Sequence, residues 1–133
     1  MSPVIEGTTN LKSAVGEYDF AVDGGAISTI TLRSSNSLGN HVPAGSVITG
    51  GYVEVDTQLT SGGAATIGVN VEAAGDLLAA ATAVATYTTG RKSLIPVGTG
   101  ASTVKTTVAR SLTITVAVAA LTAGKLRVVV FYR

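Results

Sequence analysis

The stretch SLTITVAVA, residues 111–119, alternates between large apolar and small or polar side chains over its whole length. Its large apolar side chains are Leu112, Ile114, Val116 and Val118, and its other positions are Ser111, Thr113, Thr115, Ala117 and Ala119. Successive side chains of a β-strand point to opposite faces of the sheet, so this two-residue period predicts a strand. We expect the apolar face to cover a core and the threonine face to point outward.

The same period recurs on both sides of this stretch. It predicts further strands over residues 17–22, 26–33, 47–56, 65–72, 91–96, 103–110 and 125–133. The side chains expected to face inward are Tyr18, Phe20, Val22, Ile30, Leu32, Val47, Val53, Val55, Ile67, Val69 and Val71. Between the first two of these strands, Asp23-Gly24 predicts a tight hairpin, because a type I′ turn needs positive φ at both central positions.

About eight short antiparallel strands at this spacing predict an all-β, single-domain β-sandwich that is jelly-roll-like. Residues 1–13 carry no strand period and are predicted to form an extended N-terminal arm, which leaves residues 14–133 for the sandwich. Other sandwiches and small barrels differ from a jelly roll in their connections, so the strand order stays open. Residues 76–84, rich in Ala and Leu, are compatible with either a short helix or an irregular loop.

The last strand is apolar on both faces over residues 128–131, which read VVVF. This pattern is typical of a central strand that is covered on both sides, or of a strand with one face in a subunit contact. Both interpretations place Val129 and Phe131 on the face opposite Val128 and Val130.

The composition argues against several classes of partner. Among 133 residues the net charge is +1, so no strong field would attract nucleic acid or an anionic membrane. There is no cysteine, which excludes disulfides and thiolate metal sites, and we expect no secretory signal and no membrane helix. Charged residues make up only 13%, against about 25% in typical domains. This low share fits either a Thr/Ser-rich surface or a surface covered by neighbours in an assembly.

Catalytic patterns are weak throughout. His41 has no acidic residue near it in sequence, although a catalytic base usually needs a group that orients it. Glu54 and Asp56, like Glu17 and Asp19, stand two apart and share a strand face, but we interpret them as solvated carboxylates or salt-bridge partners of Arg91 and Lys92. The sequence predicts no enzyme activity, no cofactor and no metal site.

Four segments resemble small virion proteins of tailed bacteriophages. They are EYDFAVDGGAI (residues 17–27), PAGSVITGGYVEV (43–55), TSGGAATI (60–67) and LTAGK (121–125). They are hairpins and strand starts rather than catalytic motifs, so the resemblance implies a structural protein. The type that it implies is a capsid decoration (cement) protein, made in the host cytoplasm, which binds the outer surface of the virion head and stabilises the mature shell.

The partners implied by this resemblance are the major capsid protein and further copies of the chain, most simply as a homotrimer, with no nucleic acid and no membrane. The expected capsid or subunit contacts are Pro3, Val4, Ile5 and Leu11 in the arm, and Tyr52, Val129 and Phe131 in the sandwich. An alternative is a tail or head-fibre component that binds a host surface glycan, and a weaker one is a cellular carbohydrate-binding module. For these, Tyr52 and Tyr87 are the expected sugar platforms.

Overall fold

A computed structural model describes residues 12–34, 39–93 and 104–133. The strands of these residues are β1 (Lys12–Asp19), β2 (Thr29–Thr31), β3 (Arg33–Ser34), β4 (His41–Val42), β5 (Ile48–Ser61), β6 (Thr66–Asn70), β7 (Gly90–Ser93), β8 (Arg110–Ser111), β9 (Thr113–Ala117) and β10 (Leu121–Tyr132). A single helical turn, α1 (Phe20–Asp23), and a 3-10 turn (Val84–Thr86) are the helical segments of this part of the chain. The all-β prediction is therefore confirmed.

Three antiparallel sheets form from these strands. The largest has five strands in the order β3-β1-β10-β5-β7, the second has three in the order β2-β9-β6, and β4 pairs with β8. Sequence neighbours rarely pair, because the chain crosses from one sheet to the other between β1 and β2 and again between β5 and β6.

One hydrophobic cluster joins the inner faces of the two larger sheets. The five-stranded sheet contributes Val53, Val55, Val128 and Val130, and the three-stranded sheet contributes Ile67, Val69, Ile114 and Val116, all at most 2% exposed. The positions in β5, β6 and β9 are ones that the two-residue period assigned to the core, so the inward faces of these three strands are confirmed. In β10, whose sequence is apolar on both faces, Val128 and Val130 are the side chains that face this core.

The last strand is the central strand of the larger sheet. β10 pairs with β1 on one side and with β5 on the other, and it begins at Leu121, four residues before the predicted start. Residues 121–124, which the sequence indicates as a turn before a strand that starts at Lys125, instead belong to this strand and pair with β5 with register shifts. Gly124 permits this because its φ is +140° and a Cβ there would lie 2.6 Å from Leu59 Cγ.

The predicted Asp23-Gly24 hairpin is wrong. β1 ends at Asp19, whose carboxylate caps α1 by accepting a hydrogen bond from the Ala21 amide. Asp23 in turn accepts from the Asp19 amide and pairs with Arg33 at 3.0 Å. Local hydrogen bonds to the short side chains of Asp19 and Asp23 thus replace strand pairing over residues 20–23. Because the chain leaves the strand there, Val22, which was expected in the core, is 66% exposed.

Two further inward assignments are wrong because the strands change face at irregular points. Val47 is 38% exposed and Ile48 is buried instead, since the β5 register shifts between Ile48 and Gly50. Val118 is 69% exposed at the tip between β9 and β10. A bulge at this register shift, next to Gly50-Gly51, accounts for the first change.

Other segments follow the sequence in part. Residues 76–84 form an irregular loop whose backbone bridges to β6 at Val69 and Thr66, so the loop interpretation holds and the helix does not. Where 103–110 was predicted as a strand, the described residues have only a bridge at Lys105 and the start of β8. Residues 1–11 and 94–103 lie outside the described part, while Lys12 and Ser13 pair with Tyr132 and Phe131 in β1.

Candidate functional site

Three expected contact residues meet on the outer face of the five-stranded sheet. Val129 of β10 lies directly opposite Tyr52 of β5. Phe131, two residues further along β10, packs against Tyr52 with 6.2 Å between the ring centroids and 54° between the ring planes. The two rings are partly exposed, while Val129 is 7% exposed. These side chains form an apolar patch, which we call the Tyr52 patch.

A row of charges crosses all five strands beside this patch. Arg33 (β3), Glu17 (β1), Arg127 (β10), Glu54 (β5) and Arg91 (β7) lie directly opposite one another in successive strands, so their signs alternate. Arg127 contacts Glu17 at 3.0 Å and Glu54 at 3.8 Å, and Arg91 contacts Glu54 at 3.4 Å. Opposite charges on directly paired residues stabilise a sheet modestly, and here they leave the row with little net charge.

The charge row reaches the Tyr52 patch through Arg91. Its guanidinium carbon lies 4.1 Å from the centroid of the Tyr52 ring, which is the geometry of a cation–π contact. One face of the ring is therefore covered and is not free to stack on a sugar.

The second tyrosine expected to be available for a glycan is in the core. Tyr87 is 0% exposed, and its hydroxyl donates a 2.7 Å hydrogen bond to the carbonyl of Ile67. Burial raises the pKa of this hydroxyl above its usual value. The sequence could not separate this residue from an exposed tyrosine, because it stands in the irregular segment before β7, where no strand period indicates a face.

A polar groove of about 440 Å³ lies on the outer face of the three-stranded sheet. Its floor is formed by Thr29, Thr113 and Thr115 with the side chain of Asn70, and its walls by residues 71–74 and 109–111. The Asn70 amide nitrogen donates to the hydroxyls of Thr113 and Thr115, both at 3.0 Å. Its amide oxygen accepts from the Gly75 amide at 2.6 Å. The alternation of 111–119 predicted that these threonines face outward, but Asn70 was assigned no role.

One wall of the groove is held by an ion pair between Glu72 and Arg110. The guanidinium Nε and Nη2 donate to the two carboxylate oxygens at 2.9 and 3.3 Å. The Thr107 amide and hydroxyl also donate to this carboxylate, at 3.2 and 2.8 Å. These bonds to Arg110 and Thr107 lower the pKa of Glu72 to about 2. The pair thereby ties residues 107–110 to the end of β6.

No catalytic constellation forms among the described residues. Glu54 pairs with Arg91, as the salt-bridge interpretation expected, while Lys92 donates to the Thr88 hydroxyl. His41 is exposed in the short β4 strand. Within residues 12–34, 39–93 and 104–133, no three metal-ligating side chains cluster, and no helix is long and apolar enough to cross a membrane.

Exposed apolar side chains gather at one end of the sandwich. Val22, Ile27 and Val118 are 66, 57 and 69% exposed. The backbone brings their segments together, since the Val116 amide donates to the Ser28 carbonyl and the Leu121 amide to the Gly25 carbonyl. This group of exposed apolar side chains was not predicted from the sequence, because the two-residue period assigned Val22 and Val118 to the core.

The remaining expected contacts, Pro3, Val4, Ile5 and Leu11, lie outside the described residues. The structure therefore brings together only the three sandwich members of that set, Tyr52, Val129 and Phe131.

Comparison with known proteins finds likeness at the level of structure. No protein-family profile matches the sequence, and no curated protein matches it. Among solved structures, a chain of the cyanophage Pam1 capsid asymmetric unit is 25% identical with a TM-score of 0.61, over 92% of this chain and 84% of that chain.

Two other capsids contain chains of the same fold at lower identity. A chain of the capsid of Ralstonia phage GP4 is 19% identical with a TM-score of 0.59, over 99% of this chain and 88% of that chain. A chain of the acid-stable capsid of the Helicobacter pylori bacteriophage KHP30 is 15% identical with a TM-score of 0.58, over 92% and 86%. The fold of this chain is thus one that occurs in phage capsids.

Proposed function

We propose that this protein is a phage capsid decoration protein, which binds the outer surface of the head of a tailed phage and stabilises the mature shell. The observation that carries the proposal is the likeness to chains of three phage capsids over at least 92% of this chain and at least 84% of each of theirs. The matched chains are therefore only slightly longer than this one, so the likeness is to small whole chains and not to a part of a large subunit. This supports a small structural component of a virion.

The mechanism is mechanical and needs no catalytic step. A protein that binds only the mature lattice shifts the equilibrium toward that lattice by mass action. Each copy that contacts two shell subunits adds contacts that must break before the shell opens. The low content of charged residues and the paired, alternating charges of the row suit a protein whose surface is largely covered in an assembly.

The contact surface that we propose includes the Tyr52 patch. The residues that dominate the binding energy of protein interfaces are enriched in tyrosine, tryptophan and arginine and cluster near the centre of the interface. Tyr52 and Arg91 are residues of these types, and Tyr52 packs against both Arg91 and Phe131. On sequence alone we assign further contacts to Pro3, Val4, Ile5 and Leu11. Self-association as a homotrimer is part of the same proposal.

The glycan-binding alternative receives less support from the site. Arg91 covers one face of the Tyr52 ring, and Tyr87 is in the core. Among the described residues, Tyr52 and Phe131 are the aromatic side chains on the outer face of the larger sheet, and they pack on each other.

The first test is cryo-electron microscopy of the particle that encodes this chain. We expect its density on the outside of the head, at local symmetry axes. Density only at the tail tip or fibres, with a bare shell, would reject decoration and favour receptor binding.

A binding assay tests the contact surface. We expect the purified protein to co-sediment with expanded heads but not with procapsids, and Phe131→Thr to weaken this binding at least tenfold, as loss of a dominant contact does. Ile27→Thr is the matched control, because Ile27 is a 57% exposed apolar residue near the Leu121 end of β10, away from the patch and from the groove. Equal binding by wild type and Phe131→Thr would remove the Tyr52 patch from the contact surface.

A further inference from the structure

The polar groove on the three-stranded sheet has an unusual arrangement of hydrogen-bonding groups. Because the Gly75 backbone amide can only donate, its bond to Asn70 identifies the oxygen of that side chain. The amide nitrogen of Asn70 must then be the donor to the hydroxyls of Thr113 and Thr115. Both hydroxyl oxygens act as acceptors, which leaves their hydrogens to donate elsewhere.

The third hydroxyl of the floor extends this pattern. Thr29 and Thr115 share one hydrogen bond of 3.2 Å between their hydroxyls, so one hydrogen of that pair is used and the other is not. Among the described residues, the hydroxyl hydrogen of Thr113 has no acceptor either. The floor therefore offers two hydroxyl donors.

The Arg110 wall also offers donors, and its Glu72 carboxylate has no free acceptor position. Two of the five guanidinium N–H groups bind Glu72, which leaves three. The four acceptor positions of the Glu72 carboxylate are filled by two bonds from Arg110 and two from Thr107. On the opposite wall, the amides of residues 71–73 are already bound to the Asp76 carboxylate.

A ligand that uses these donors must supply acceptors and carry little charge. The Glu72–Arg110 pair is neutral overall, so it provides no excess positive charge for a phosphate or sulfate. A sugar hydroxyl both donates and accepts, but the carboxylate of the wall is saturated and no aromatic residue lines the groove. The carbonyl groups of a polypeptide meet both requirements.

The spacing of the donors indicates an extended polypeptide. Thr113 and Thr115 stand two residues apart on one strand, and carbonyls that point the same way in an extended chain also recur at every second residue. The walls carry the small side chains of Ala73, Ala74 and Ala109, which allow a backbone to approach. The groove of about 440 Å³ is open to solvent, as a site for an extended segment that lies across the sheet must be.

We propose that this groove binds an extended segment of a capsid shell subunit through the carbonyl groups of that segment, with Thr113, one hydroxyl of the Thr29–Thr115 pair and Arg110 as donors. The inference rests on the proposed function, which supplies the shell subunit as the partner.

The test uses substitutions of Thr113 in the co-sedimentation assay with expanded heads. Thr113→Val removes the donor with little change of shape, and we expect it to weaken binding about tenfold, as loss of one hydrogen bond would. Thr113→Ser keeps the hydroxyl and is expected to bind within about twofold of wild type. Thr122→Val is the matched control, because the Thr122 hydroxyl, like that of Thr113, makes a cross-strand side-chain hydrogen bond, in its case with Thr60 and outside the groove.

Folding must be followed in parallel, because Thr113→Val also removes an acceptor of the buried Asn70. A nuclear magnetic resonance titration of the wild-type protein with overlapping 12-residue peptides of the shell subunit avoids this problem. We expect one peptide to shift the Arg110 side-chain N–H and Thr113 methyl signals.

The outcomes separate the groove from the function. Two results would overturn the proposal that the groove binds the shell subunit and leave the decoration function intact. One is binding to heads while no peptide shifts the signals of the groove, and the other is equal head binding by Thr113→Val and wild type. Peptide shifts without head binding would overturn decoration on expanded heads and keep the groove as a polypeptide site. Loss of self-association in Thr113→Val, with head binding unchanged, would make the occupant a second copy and overturn the shell assignment.

Discussion

At the scale of single residues, Val118 is the most unusual position of the described chain. It has a φ of +73°, and the Ala119 amide donates to the Ala117 carbonyl, which is the hydrogen bond of a classic-type γ-turn. A β-branched residue in this region of φ is strained, and Val118 is also 69% exposed. Neither packing nor local geometry within the chain therefore favours a valine here.

Replacing Val118 should stabilise the fold. Asparagine tolerates positive φ, so we expect Val118→Asn to raise the free energy of unfolding by about 1 kcal/mol. The measurement is urea unfolding followed by circular dichroism. Val22→Asn is the matched control, because Val22 is similarly exposed without a positive φ, and it should change the value by less than about 0.5 kcal/mol. A destabilised Val118→Asn protein would show that the turn is not strained.

At the scale of elements, the contact between β1 and the connection from β2 to β3 depends on a glycine. A Cβ on Gly16 would lie 2.6 Å from Leu32 Cβ, and Leu32 is 1% exposed. Leu32 stands between β2 and β3, where the chain passes from the three-stranded to the five-stranded sheet. Close approach at Gly16 therefore permits the connection that links the two sheets.

This close approach makes Gly16 sensitive to substitution. We expect Gly16→Ala to lower the free energy of unfolding by about 1–3 kcal/mol, because Leu32 or the backbone must move. Gly62→Ala is the control, since a Cβ at Gly62 meets nothing within 4 Å. Equal unfolding midpoints in urea for the two variants would contradict the proposed packing.

Strand faces were predictable at this scale, whereas strand ends were not. The inward assignments of Val53, Ile67 and Ile114 are confirmed because a two-residue period is a local property. Val22 and Val118 continue the same period but lie beyond the ends of β1 and β9. The hydrogen bond that Asp19 accepts ends β1, and the γ-turn at Val118 follows the end of β9. The alternation of apolar and polar residues indicates neither feature.

At the scale of the whole molecule, the Glu72–Arg110 pair makes the stability of the fold depend on pH. The folded pKa of Glu72 is lowered from 4.5 to about 2, mainly by its bond to Arg110. A lowered pKa means that the unfolded chain binds the proton more tightly. The contribution of the pair is therefore complete above pH 4.5 and is lost as the pH falls toward 2.

A double-mutant cycle measures this contribution. We expect the coupling free energy from wild type, Glu72→Gln, Arg110→Gln and the double variant to be favourable at pH 7 and to fall steadily as the pH is lowered from 4.5 to 2. Urea unfolding at several pH values gives the four stabilities. A coupling that stays constant from pH 7 to pH 2 would show that the charge of Glu72 does not stabilise the fold.

The candidate contact surfaces also depend on the whole molecule, because each is formed by residues from several strands. Tyr52, Val129 and Phe131 were expected as contacts separately, and the sheet order β1-β10-β5 places them side by side. The alternating row from Arg33 to Arg91 needs all five strands in register, and the groove needs β2, β9 and β6 adjacent. Residues 29, 70 and 113 are far apart in sequence, so no local pattern indicates that their side chains meet.

The sequence by itself determined the all-β class, most strand positions and the side chains of the core, because alternation and turn residues act over a few neighbouring residues. Only the tertiary structure decided the strand order, the burial of Tyr87, the Asn70 network and the exposure of Val118. These depend on which segments meet after the chain crosses between sheets, and that choice is made by the packing of the whole core at once.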